Sequence, residues 1–261
     1  MGLVVTVVLM LNLSMSRRVD RSFTQNMRSR VLAFLEERGG HFVALLAIAF
    51  LLLSALLLTG SRGGVLSTGS ALLLVFLITL RKRSSGKIGN YLPILLLLFA
   101  LVGTVWTVSS GMLQLRFDRE ISGDPRQDTY VQTARAIYDH LFVGAGAGSF
   151  PQIFPLYRDS EMLQGSFWTK AHNTYLETVL DLGLPAALVL FASILWMVWR
   201  CWQGLKERSR DRHFVIVGLS VSFLVGLHAL VDFSLQIPAV SIAYMFLMGI
   251  AVAQSFSSRR H

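Results

Sequence analysis

Residues 42–80 read FVALLAIAFLLLSALLLTGSRGGVLSTGSALLLVFLITL. Two apolar runs, Phe42–Gly60 and Gly64–Leu80, flank Arg62, which is the only charged residue in the stretch. A bilayer-spanning helix needs about 20 consecutive apolar residues, and each run approaches that length. An arginine at mid-membrane costs about 2.5–3.5 kcal/mol on insertion scales, whereas at the edge of the hydrocarbon it can snorkel to the headgroups. Arg62 therefore marks the junction of two spans, and Gly63 and Gly64 beside it suit a tight turn.

The same character recurs at Tyr91–Ser109, Leu182–Trp199, Phe214–Val231 and Pro238–Phe256. Gly2–Met15 is apolar but short. It lacks the basic start and small-residue cleavage site of a signal peptide, and reads as the tail of a span whose beginning is missing. The chain is 15% charged, with mean hydropathy +0.57, where soluble domains carry about 25% charged residues. The expected fold is all-α: a polytopic membrane helix bundle over residues 1–256, with about seven spans and one long external loop, 110–172.

Net charge is +9, but the basic clusters sit at span ends without interleaved aromatics, which argues against nucleic acid. Segments 16–41, 81–90, 200–213 and 257–261 together hold 17 Lys and Arg, against seven on the alternate side. The positive-inside rule then places RKRSSGK and WRCWQGLKERSRDR in the cytoplasm, and Arg62 and the 110–172 segment outside. Residues 17–38 read as an amphipathic helix on the bilayer surface, where basic residues favour anionic headgroups. A single cysteine, Cys201, excludes an intrachain disulfide and a CxxC metal site.

The polar stretch from Asp124 to Leu184 carries the candidate chemistry. Thr129–Asp139 has helical spacing of Tyr130, Ala134 and Ile137, with Arg126 at its start. LFVGAGAGSFPQIFP cannot be regular helix, with glycines at alternate positions and Pro151 and Pro155 behind them. It has neither the Lys-Ser/Thr of a P-loop nor a preceding strand, so it reads as a turn. Phe150, Phe154, Tyr157, Phe167 and Trp168 are expected to seat the segment at the membrane interface. His172-Asn173 then opens a helix. Asn173 is a good N-cap, and Glu177 and Asp181 follow it on one face. His228 and Asp232 likewise stand four apart near the outer end of a span, where an acid is a functional hint. No paired-carboxylate motif requires a metal.

Taken together, LTGSRGG after a span, Arg126 ahead of DHLFVGAGAGSF, F-P-x-Y at Phe154–Tyr157, AHNTYLE with GLP, and HALVDFSLQIP resemble the O-antigen ligase family. That superfamily includes O-antigen polymerases and protein O-oligosaccharyltransferases. The resemblance covers about residues 41–256, the C-terminal half of a fold that elsewhere has roughly a dozen spans. Relatives often carry a proline where this chain has Leu141-Phe142.

The resemblance implies a membrane-type (GT-C-like) glycosyltransferase fold in the bacterial inner membrane. Its expected reaction moves a glycan from an undecaprenyl-diphosphate carrier to an acceptor on the outer, periplasmic face. The acceptor would be lipid A–core, another glycan or a protein, and no cofactor is implied. His172 matches the family's essential loop histidine, and Arg62 and Arg126 match arginines expected to hold the diphosphate. Asn173, Tyr175, Glu177, Asp181 and Arg158 complete the expected substrate-binding set, with His228 and Asp232 in support. The chemistry is consistent with these residue types. Guanidinium forks stabilise a leaving diphosphate, and a histidine, of pKa near 6.5, suits removal of a hydroxyl proton near neutral pH. A transporter, bicarbonate-like, is the alternative. It would place polar residues along a mid-membrane path, whereas the ionisable residues here cluster at the outer ends of the spans. There are also no paired Gly/Pro-broken spans of the inverted-repeat kind.

Overall fold

The structure, a computed structural model, describes residues 1–15, 27–80, 103, 125–158, 168–208 and 210–256. Among them there are helices and no strands. In chain order they are α1 (Gly2–Met15), α2 (Met27–Leu58), α3 (Arg62–Leu80), α4 (Pro125–Asp139), α5 (Phe150–Ile153), a 3-10 turn (Phe154–Tyr157), α6 (Thr174–Leu182), α7 (Leu184–Glu207), α8 (Arg212–His228), a second 3-10 turn (Ser234–Gln236) and α9 (Pro238–Ala253).

Among the described residues, three helices are long and apolar enough to cross a membrane: Gly39–Leu58 within α2, Arg62–Leu80 and Leu184–Glu207. Gly2–Leu13, Arg212–His228 and Pro238–Ala253 are shorter apolar helices. The expected span Tyr91–Ser109 lies outside the described residues apart from Gly103.

Helix α8 is apolar on every side, the pattern of a helix buried all round, and it sits at the centre. It packs against α1, α3, α7 and α9. Val4, Val7 and Val8 of α1, Leu72 and Val75 of α3, Val215 and Val221 of α8, and Met248 and Ala251 of α9 form one continuous core. The periphery is the reverse. Only 6% of the α2 span and 11% of α7 is buried, against 39% of α3, so α2 and α7 present their apolar faces outward.

Two boundaries differ from the sequence reading. Residues 27–38 do not form a separate surface helix; α2 runs through Gly39–Gly40 into the span without a break, and residues 16–26 lie outside the described residues. The apolar stretch from Leu182 is divided at Gly183 (φ 75°, ψ 159°), which ends α6 and starts α7, with Pro185 in the first turn of α7. α6 and α7 form an antiparallel hairpin about that glycine: Tyr175 and Phe191, at equal distance on either side, meet edge to face at 5.5 Å.

α4, α5, the first 3-10 turn and α6 make a small second unit. Its core is Ala136, Phe150, Phe154, Ala171 and Leu180, with Tyr157 and Trp168 partly buried against it. Phe150 and Phe154 stack at 4.8 Å and are essentially inaccessible. They are therefore core residues, not the interfacial belt expected of them; Phe167 lies outside the described residues.

Candidate functional site

The glycine turn is built to dock on α6. Gly144 (φ 76°) and Gly183 (φ 75°) lie back to back. A Cβ on Gly144 would sit 2.5 Å from Asp181 O, and one on Gly183 would sit 2.5 Å from Phe142 O. Backbone bonds close the contact: Ala145 N–H to Leu180 O (2.7 Å), Gly146 N–H to Asp181 O (3.1 Å) and Leu184 N–H to Leu141 O (2.7 Å). Asp181 accepts from Gly148 N–H at 3.0 Å. Burial pushes its carboxyl above the usual aspartate value, the Gly148 N–H opposes that, and Glu177 adds to the rise. Asp181 thus serves the glycine turn, at the far end of α6 from His172.

The near end of α6 carries His172 in the left-handed region, φ 52°. Bonds on every side hold it there. Asn173 Oδ1 caps the helix, accepting from Tyr175 N–H (3.0 Å) and Leu176 N–H (3.2 Å). Ala171 N–H donates to Glu177 Oε2 at 2.9 Å, and Lys170 Nζ pairs with Glu177 Oε1 at 3.0 Å. Glu177 is fully buried, so its carboxylate serves the loop carrying His172 and has no face open to a substrate. Tyr130, on α4, donates its hydroxyl to His172 O at 3.1 Å.

The same corner is tied to the bundle. Thr174 N–H donates to Ala229 O (2.9 Å), Thr174 Oγ1 to Asp232 O (2.8 Å) and Tyr175 OH to Gly226 O (2.9 Å). These bonds bring the end of α8 under the histidine. The His172 ring lies edge-on between Trp168 (5.5 Å) and Phe233 (5.1 Å). His172 Nδ1 is 3.9 Å from Asp232 Oδ1, and His228 Nε2 is 3.7 Å from Asp232 Oδ2. His228 Nδ1 meets Ser234 Oγ at 3.1 Å. His172, Asp232 and His228 thus form one line, with side-chain exposures of 29%, 35% and 13%.

Arg62 opens α3, where Ser61 Oγ accepts from Gly64 N–H at 3.0 Å. Its side chain is exposed. The next residue, Gly63, packs so closely that a Cβ there would lie 2.9 Å from Val231 Cγ2. Arg62 is therefore placed beside the segment leading into Asp232. Arg126 stands one helical turn before Tyr130 on α4, and its side chain lies outside the described residues. Arg158 directly follows the first 3-10 turn, in extended backbone. Among the described residues, no group of three or more His, Cys, Asp or Glu is arranged to hold a metal ion.

A model of the O-antigen ligase family matches residues 47–192, more than half of the chain. The chain belongs to the O-antigen ligase family. It is therefore a membrane protein of a glycan-transferring family. The matched region includes Arg62, Arg126, Arg158 and the loop and helix around His172, but ends before His228 and Asp232, which only the fold brings to the histidine. No curated protein and no solved structure matches the chain. Tyr130, Trp168, Lys170 and Phe233 were missed as parts of the site. Helical spacing puts Tyr130 on the inner face of α4, Trp168 stands among the aromatics of the polar stretch and Phe233 lies within HALVDFSLQIP, but nothing local ties any of them to the histidine.

Proposed function

We propose that the chain takes part in glycan transfer from an undecaprenyl-diphosphate carrier to an acceptor hydroxyl on the outer face of the bacterial inner membrane, with His172 as general base. The observation that carries this reading is His172 itself, a partly exposed imidazole fixed in a left-handed backbone conformation beside the Asp232 carboxylate. Backbone in sparsely populated regions costs of order 1–3 kcal/mol and persists where the surroundings over-determine it, often at functional sites.

In this reading Asp232 lies 3.9 Å from Nδ1, and closing to hydrogen-bond distance when substrates bind would fix the tautomer in which Nε2 takes the acceptor's proton. The acceptor oxygen bonds to the anomeric carbon as that carbon's bond to the diphosphate oxygen breaks, and the diphosphate leaves with the electron pair. Arg62 stands at a helix N-terminus, where backbone dipoles also favour anions, and with Arg126 it would stabilise the leaving charge. Arg158 would border the sugar, while Tyr175, its hydroxyl bonded to Gly226 O, ties the corner to the bundle. Lipid A–core is the acceptor for a ligase and a growing glycan for a polymerase; both use the same base.

The test is glycan transfer in membranes carrying the full chain. His172→Gly relieves the backbone strain while deleting the ring, and His172→Ala deletes the ring alone. Both should lower transfer by roughly 10²–10⁴-fold, the usual worth of general acid–base catalysis, with insertion and melting intact. Asp232→Asn should lower the rate less and shift its pH profile. Unchanged transfer in a well-folded His172→Gly protein would remove the histidine from the mechanism and favour the transporter reading.

A further inference from the structure

His228 stands in the last turn of α8, with a side chain only 13% exposed. A buried imidazole needs a partner on each ring nitrogen, and a neutral ring offers one donor and one acceptor. His228 Nδ1 meets Ser234 Oγ at 3.1 Å, and Nε2 lies 3.7 Å from Asp232 Oδ2. The two partners are not equivalent. A serine hydroxyl can donate or accept, whereas a carboxylate only accepts. The arrangement that suits both, assigned from these partners, puts the ring hydrogen on Nε2, facing Asp232, and lets Ser234 donate to Nδ1. A protonated ring would carry a hydrogen on Nε2 as well.

Asp232 needs such a partner to keep one orientation. It lies in the turn after α8, and its side chain is 35% exposed. Its backbone is pinned, since Thr174 Oγ1 donates to Asp232 O at 2.8 Å, but two side-chain torsions can still turn. Phe233 N–H donates to Oδ1 at 2.8 Å, and His228 stands at Oδ2. One contact alone leaves the carboxylate a hinge, whereas a contact on each oxygen fixes its plane. In that plane Oδ1 lies 3.9 Å from His172 Nδ1. One carboxylate thus faces Nε2 of one histidine and Nδ1 of the other.

We propose that His228 is a positioning residue for His172: it holds Oδ2 of Asp232, so that Oδ1 stays turned to His172 Nδ1 and His172 Nε2 stays free to take the acceptor's proton. The proposal rests on the transfer reading and deepens it. His228 touches no substrate in this role; the carboxylate carries its effect. At 3.7 and 3.9 Å both gaps exceed hydrogen-bond length, and catalytic hydrogen bonds commonly tighten when substrate binds. A carboxylate held at both oxygens can close on His172 without rotating away from it. Partners that orient a metal-bound histidine are typically worth roughly 10–100-fold in activity, and the same scale is expected here.

The experiment uses membranes from the native bacterium deleted for this chain and carrying each full-length variant. That strain's own undecaprenyl-diphosphate-linked glycan is titrated to give kcat and KM. His228→Gln carries an amide N–H to the position of Nε2 and can donate to Asp232. His228→Asn reaches only the position of Nδ1, so it keeps the Ser234 contact and loses Asp232; His228→Ala loses both. Ala and Asn should lower kcat roughly 10–100-fold with KM little changed, and Gln should recover most of the rate. Adding His228→Ala to Asp232→Asn should cost little more, because groups that act through one another are not additive. Melting is compared throughout, and the Gln and Asn pair decides the matter should Ala not fold. Asn as active as Gln, a loss confined to KM, or a full additive loss in the double variant each overturns the proposal. His172→Gly with unchanged transfer overturns the transfer reading and the proposal with it. An inactive His172→Gly beside fully active His228 variants overturns the proposal alone.

Discussion

Gly144 and Gly148 form a matched pair that isolates the contact between the glycine turn and α6. Both have φ 76°, so alanine meets left-handed strain at each, about 1–2 kcal/mol. At each, about 0.4–1 kcal/mol returns through the stiffer unfolded chain. They differ in space. A Cβ at Gly148 has nothing within 4 Å, whereas at Gly144 it lies 2.5 Å from both Asp181 O and Gly183 N and 2.6 Å from Leu182 C. These are backbone atoms, which cannot rotate away as a flexible side chain would. Restoring an ordinary contact of 3.4 Å moves the strands of the contact apart by nearly 1 Å. The bonds of 2.7 Å at Ala145 and Leu184 would then exceed hydrogen-bond length.

Losing the bonds at Ala145, Gly146 and Leu184, at about 0.5–1.5 kcal/mol each, makes the excess penalty of Gly144→Ala roughly 2–4 kcal/mol. Hydrogen–deuterium exchange on the reconstituted protein reads this directly. With 1.4 kcal/mol per factor of ten, these three amides should exchange roughly 30- to several-hundred-fold faster in Gly144→Ala, and less than about tenfold faster in Gly148→Ala. Equal exchange in the two variants would refute the claim that backbone contact, and not left-handed geometry alone, selects glycine at 144.

Glu177→Ala strands the Ala171 N–H in a buried site and should destabilise by about 1–3 kcal/mol. Glu177→Gln keeps an acceptor there and should recover most of both stability and transfer, so a Gln variant as impaired as Ala would refute the positioning role. Asp181 provides a pH test with a definite sign. Its folded pKa is raised, so its contribution is fully present below the unfolded value of about 3.9 and is lost as pH rises through the folded one. Ionised Asp181 is therefore a penalty at neutral pH. Asp181→Asn should melt higher than wild type at pH 7.5, with the gap closing towards pH 4, and a variant that melts lower at pH 7.5 than at pH 4 relative to wild type would contradict this.

What could be read in the sequence was what is local. The apolar runs around Arg62 are spans because hydropathy acts over one helix, and α4 and the Asn173 cap follow from spacing within a turn or two. The break at Gly183 was hidden because Gly-Leu-Pro sits at the head of an apolar run and adds nothing charged to it. It is visible only through the close approach of Gly144, distant in sequence. Phe150 and Phe154 show the same limit: aromatic enrichment looks alike in a buried core and in an interfacial belt, and partners from α4 and α6 decide which it is. Glu177 read as a dipole-stabilising acid near a helix start. Its real task, reaching back to Ala171 N–H, depends on a loop conformation that no periodicity encodes.

The pairing of His172 with Asp232 belongs to the same class and bears most on function. Locally, Asp232 belongs to His228, four residues before it, and that pairing was legible. The fold adds His172 to the other carboxylate oxygen through bonds that do not involve the imidazole at all: Thr174 to Ala229 and Asp232, and Tyr175 to Gly226. The backbone thus positions the ring independently of the ring's own interactions. The left-handed conformation points the same way. Glycine at 172 would satisfy every backbone bond there without strain, and histidine adds nothing to them. Asp211 is the other described non-glycine residue with positive φ, but it lies in an exposed turn. At 172 the fold instead holds an imidazole with Tyr130, Asn173 and Glu177 placed around its backbone. The ring also has contacts of its own with Trp168, Phe233 and Asp232, so the His172→Gly variant, which keeps the backbone bonds and removes those contacts, is what separates a packing role from a catalytic one.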